Sequence, residues 1–97
     1  MGEFDNCKVV GSSSVVMCEL DKGLALLDVD RSKYFSLNST GAFVWKAIEQ
    51  PSSLDDLCAA VAERFKIEHD VCRSDVVSLL RQLIDSGLAR AVDAPTG

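Results

Sequence analysis

The segment Lys33-Tyr34-Phe35-Ser36-Leu37-Asn38-Ser39-Thr40-Gly41-Ala42-Phe43-Val44-Trp45 passes from a strand pattern to a helix pattern with no loop between them. Alternation puts Phe35 and Leu37 on one face of a strand and Tyr34 and Ser36 on the other. At Asn38 the period changes. Asn38 or Ser39 is placed to cap a helix whose apolar residues Phe43, Val44, Ala47 and Ile48 recur at helical spacing, and Gln50-Pro51 ends it. Nothing in this most distinctive segment has a catalytic pattern.

The elements on either side follow from it. Residues 1–13 are polar and read as a flexible lead-in that Gly11-Ser12-Ser13-Ser14 closes. Val15 to Leu20 is expected as a strand, Asp21-Lys22-Gly23 as a tight turn with Gly23 free to take positive φ, and Leu24 to Asp28 as the antiparallel mate. Asp28 to Ser32 is a second polar turn, so Lys33 to Leu37 completes a three-stranded meander. A second helix opens at Ser52-Ser53, with Asp55 and Asp56 opposing its dipole and Leu54, Leu57, Cys58, Val61, Ala62 and Phe65 as the buried stripe. A third runs from about Cys72 to Ser86, stopped by Gly87 at a left-handed cap. Leu88 to Val92 is expected to be extended, and residues 93–97 frayed. The domain proper is expected at residues 14–92.

The third helix has two apolar stripes. Cys72, Val76, Leu79 and Leu83 make one, which must be core; Arg73, Val77, Leu80, Arg81 and Ile84 make another. A helix wedged between a sheet and two helices explains both stripes. The alternative is a groove in which the second stripe offers apolar contacts flanked by two guanidinium groups.

Composition narrows the function classes. Ninety-seven residues, 47% of them hydrophobic, suffice for one core and not for two, which argues against a multi-step enzyme. A net charge of -5 repels a phosphate backbone or an anionic membrane, so neither nucleic acid nor membrane is an expected partner. No apolar run is long enough to span a bilayer and the N-terminus has no signal-peptide pattern, so a cytoplasmic location is expected. Cys7, Cys18, Cys58 and Cys72 form no C-x-x-C pair and lack a His-x-x-x-His partner, which reads as buried reduced thiols and no metal site. The single histidine, His69, lies in a charged loop between Glu68 and Asp70, with no nucleophile motif beside it. Asp28, Asp30, Asp55 and Asp56 sit at turns and a helix start, where Asp has local reasons to be. Trp45 reads as a packing residue. No catalytic residue, cofactor or metal is expected.

Three short strands followed by three helices, with Leu26-Leu27-Asp28 before the polar turn, Tyr34-Phe35-Ser36-Leu37-Asn38-Ser39-Thr40-Gly41-Ala42 running into Val44-Trp45, Leu54-Asp55-Asp56-Leu57 opening the second helix, and Asp75-Val76 with Leu79-Leu80-Leu83 ahead of Ser86-Gly87-Leu88, resemble the PqqD family over residues 14–92. Its members are recognition elements for precursor peptides of ribosomally made natural products. Founding members tend to carry a Pro-Glu-Gly turn before the Leu-Asn; the Asp28 to Asn38 stretch here looks more like the discrete proteins of lasso peptide pathways. The resemblance implies an α+β, winged-helix-like fold, a three-stranded antiparallel meander followed by a three-helix bundle. It also implies a protein that binds the leader segment of a precursor peptide and hands it to a leader peptidase or other maturation enzyme, with no chemistry of its own.

The residues suggest how. The third strand of a meander lies at an edge, so Lys33, Tyr34, Phe35, Ser36 and Leu37 would accept an extended peptide by strand addition. Arg73, Val76, Val77, Leu80, Arg81 and Ile84 of the third helix would supply side-chain contacts, Arg73 and Arg81 being about 12 Å apart along the helix. The competing readings are a PqqD-type chaperone serving a radical enzyme, a winged-helix DNA-binding regulator, which should show a basic stripe this chain lacks, and a domain that dimerises through its edge strand.

Overall fold

The computed structural model describes residues 7–93. Within them the order is β1 (Cys7–Gly11), β2 (Val15–Leu20), β3 (Gly23–Asp28), β4 (Lys33–Asn38), α1 (Ser39–Ala47), β5 (Ser52–Ser53), α2 (Leu54–Phe65), α3 (His69–Asp85) and β6 (Ala89–Asp93). The strands form two antiparallel sheets, β2-β3-β4 and β5-β1-β6, so the fold is mixed α+β.

The first sheet is built by local connections. Leu20 pairs with Gly23 across a two-residue turn, and Asp28 with Lys33 across the next. Gly23 does not take positive φ. It is needed for space, because a Cβ there would run into the Leu37 carbonyl of β4. In the second turn the amide of Arg31 donates to Asp28 Oδ1 at 3.3 Å, and Ser32 adopts φ 54°. The Arg31 guanidinium then reaches the Ser86 carbonyl at the end of α3, which ties this turn to the helix.

β4 becomes α1 at Asn38, whose side chain accepts from the Gly41 amide at 2.8 Å. Ser39 Oγ donates to the Lys22 carbonyl, anchoring the helix start to the β2–β3 turn. Gly41 lets the helix approach the strand closely: a Cβ there would stand 3.2 Å from Leu37 Cβ. Ser53 caps α2 by accepting from the Asp56 amide, with Asp55 and Asp56 in the first turn.

α3 starts at His69, three residues before the expected Cys72, and His69 is therefore helical rather than in a loop. Its N-cap, Glu68, makes no side-chain cap, so the usual Ser, Thr, Asp or Asn signal is missing from the sequence. The other end is strongly marked. Leu88 N–H donates to Leu83 O and Gly87 N–H to Ile84 O, with Gly87 at φ 77°, the paired bonds of a Schellman motif.

Two further expectations, for residues 7–11 and for the core face of α3, are corrected. Residues 7–11, assigned to a flexible lead-in, form a strand that pairs along its whole length with β6, from Cys7↔Asp93 to Gly11↔Ala89. Gly11 N–H also donates to Ile48 O, and the absent side chain at Gly11 makes room for the ring of Trp45, which is buried in the core. The cause is long-range pairing, which a five-residue stretch does not announce. The rest of the expected lead-in before Cys7, and residues 94–97 of the expected frayed end, lie outside the described residues.

The second correction concerns α3. Its buried positions are Cys72, Val76, Leu80 and Leu83, so Leu80 rather than Leu79 completes the core stripe. These side chains join Leu24, Leu26 and Leu37 of the first sheet, Val44 and Ile48 of α1, and Leu57 and Val61 of α2 in one continuous core. Cys58 and Cys72 are buried within it, whereas Cys18, expected among them, is exposed on β2. Strand alternation decides this: Cys18 lies on the outer face of the sheet, the face of Val16, Leu27 and Tyr34, while Leu24, Leu26 and Leu37 turn to the core.

Candidate functional site

β4 pairs with β3 on one side only, so its other edge is unpaired among the described residues. Beyond that edge a cleft of about 420 Å³ separates β4 and the start of α1 from α3. Phe35, Ser36, Leu37 and Asn38 line it from the strand, Thr40 and Gly41 from the helix start, and Asp75, Ser78, Leu79 and Gln82 from α3. The α3 contributors are spaced i, i+3, i+4 and i+7, one face of a helix. That face lies next to the core stripe, about a quarter-turn around the axis.

The expected residues divide accordingly. Phe35, Ser36 and Leu37 line the cleft, and Lys33 is exposed at the start of the same strand, paired with Asp28 of β3. Tyr34 belongs to β4 but stands on the other face of the sheet, in a row with its neighbours Leu27 and Val16. That row is open to solvent, Tyr34 being 65% exposed, Val16 53% and Leu27 42%.

On α3 the expected contact set is not the one brought to the cleft. Val76 and Leu80 are in the core, 1% and 0% exposed, and cannot meet a ligand there. Arg73 Nη1 donates to Asp55 Oδ1 of α2 at 2.9 Å. Val77 and Ile84 are half-buried against the core, and Arg81 is exposed but lines no part of the cleft. These residues flank the core stripe on the side away from Asp75 and Gln82, because a helix turns about 100° per residue. The cleft-lining residues outside the expected set are Asn38, Thr40, Gly41, Asp75, Ser78, Leu79 and Gln82. The usable signal was the mixed face Asp75-Ser78-Leu79-Gln82, a single leucine among polar residues, which reads as ordinary surface.

Among the described residues the cleft has an apolar floor in Phe35, Leu37 and Leu79, a rim of hydroxyls and amides, and one charged group, the Asp75 carboxylate. No histidine or cysteine lines it. Among the described residues no group of histidine, cysteine, aspartate or glutamate side chains is arranged to hold a metal ion. The buried thiols are held protonated: burial, then the neighbouring Cys72, pushes Cys58 up to about 11, and burial also raises Cys72, whose Sγ donates to the Cys58 carbonyl. No helix among the described residues is long and apolar enough to cross a membrane. An unpaired strand edge beside an apolar floor and polar rim suits an extended peptide: the edge offers backbone hydrogen bonds and the floor takes alternate side chains.

Two solved structures share the fold. One, TbiB1 in complex with the TbiA(beta) leader peptide, superposes with a TM-score of 0.74 at 22% identity, covering 84% of this chain and 94% of that one. The other, lasso peptide synthetase B1 complexed with the leader peptide, gives a TM-score of 0.73 at 22% identity, covering 84% of this chain and 96% of that one. No curated protein matches the chain. The family model for coenzyme PQQ synthesis protein D (PqqD) matches residues 23–89, from the first residue of β3 to the first of β6, and the chain therefore belongs to the PqqD family.

Proposed function

We propose that this protein binds the leader segment of a ribosomally made precursor peptide in lasso peptide biosynthesis, without catalysing a reaction itself, and delivers it to a separate leader peptidase or other maturation enzyme. The observation that carries this is the open β4 edge facing α3 across a peptide-sized cleft. The two proteins of the same fold that carry a leader peptide in their solved complexes support it. In this reading the first sheet with α1, α2 and α3 works as a winged-helix-like unit, and the leader adds to β4 as a further strand.

The direct test is fluorescence anisotropy with a labelled leader segment of a candidate precursor peptide. Leu79→Lys places a charge on the floor of the cleft and is expected to weaken binding at least tenfold with the domain still folded. Arg81→Glu, outside the cleft, should leave affinity within about twofold. Equal affinities for both variants and the parent would rule out this cleft as the docking site. A second reading, a chaperone for a radical enzyme, is favoured by the family's own namesake in PQQ synthesis. The adjacent enzyme genes separate the two: a peptidase with a cyclase for lasso biosynthesis, a radical enzyme for the other.

A further inference from the structure

We infer that the peptide this cleft accepts carries a basic residue two positions from an apolar one, the basic side chain meeting Asp75 and the apolar side chain meeting Leu79. This rests on the strand-addition reading above and specifies the ligand class for it. Among the described residues Asp75 is the sole charged side chain lining the cleft, it is exposed, and it makes no ion pair. Its neighbours on the rim, Ser78 and Gln82, are neutral, and no lysine or arginine lines either wall. A bound acidic side chain would therefore meet a like charge with no cation to relieve it, whereas a lysine or arginine would find an acceptor.

The spacing follows from geometry. Phe35 and Leu37 line the cleft, so a strand added to β4 turns every second side chain toward it, successive ones about 6.6 Å apart. Asp75 and Leu79 are one turn apart on α3, a rise of about 6 Å. The two repeats match to within an ångström. Consecutive cleft-facing residues of the peptide therefore reach consecutive turns of the helix, a basic residue at one and an apolar residue at the next.

The test needs no knowledge of the natural precursor. An mRNA-displayed library of random 16-residue peptides is selected in parallel on the parent protein, on Asp75→Lys and on Asp85→Lys. Asp85 is exposed on the same helix and does not line the cleft, so the two variants change net charge equally. Peptides from the parent and from Asp85→Lys should share an apolar residue with lysine or arginine two positions away. On Asp75→Lys the apolar residue should persist and the basic one should give way to aspartate or glutamate. A parent-selected basic peptide should bind Asp75→Lys about tenfold more weakly, the size expected when an exposed ion pair becomes a like-charge pair. Unchanged charge preference on Asp75→Lys, or the same change on Asp85→Lys, would overturn the inference while leaving the docking site intact. Selected peptides that fail to shift the β4 amide resonances in a ¹H–¹⁵N spectrum would overturn the strand-addition reading and this inference together.

Discussion

Single residues in this domain mostly serve packing and backbone geometry. Gly87 holds φ 77° at the Schellman turn, with the Arg31 guanidinium lying over it. Gly87→Ala should cost about 1–2 kcal/mol, the penalty for an L-residue in the left-handed region, read as a lower urea midpoint at unchanged m. The cysteines separate by environment. Cys18 should react with iodoacetamide in the native protein at pH 8, while Cys58 and Cys72 should react only on unfolding, as peptide mapping by mass spectrometry would show. Cys58 also sets an alkaline limit. Its folded-state pKa, about 11, lies above its ordinary value of 9.0, so its contribution is complete below pH 9 and falls as pH rises through 11, because the unfolded chain ionises first. Chemical denaturation at pH 8 and pH 10.5 should show the loss, and Cys58→Ser should reduce it.

At the scale of elements, most of the chain could be read locally. The Asn38 and Ser53 caps, the strands from Val15 to Asn38, the acidic first turn of α2 and the Gly87 stop each rest on interactions within a few residues, and they stand where the sequence places them. β1 could not be read this way. Its partner β6 lies at the other end of the domain, and neither strand carries a signal of the other. The rotation of α3 was equally hidden. Leu79 and Leu80 are chemically identical neighbours, and periodicity admits either as the core member; the structure buries Leu80 and gives Leu79 to the cleft. Leu80→Ala should therefore cost about 2–5 kcal/mol and Leu79→Ala clearly less, with only the latter weakening peptide binding. Equal destabilisation by the two would contradict this rotation.

At the scale of the molecule, the sequence by itself determined a mixed α+β chain in which an apolar strand runs directly into a helix, patterned like the PqqD family. It also placed β4 at an edge of its sheet, because order along the chain puts the third strand of a meander at the border. Only the tertiary structure decided which face of α3 stands opposite that edge. The face with Asp75 and Leu79 borders the cleft, and the arginine-flanked face lies on the other side of the core stripe. The physical reason is range. Caps, turns and alternation are settled by contacts between near neighbours, which the sequence displays. The rotation of α3 is settled by how its core stripe seats against the first sheet, α1 and α2 together, and a shift of one residue turns the helix by about 100° and exchanges one flank for another.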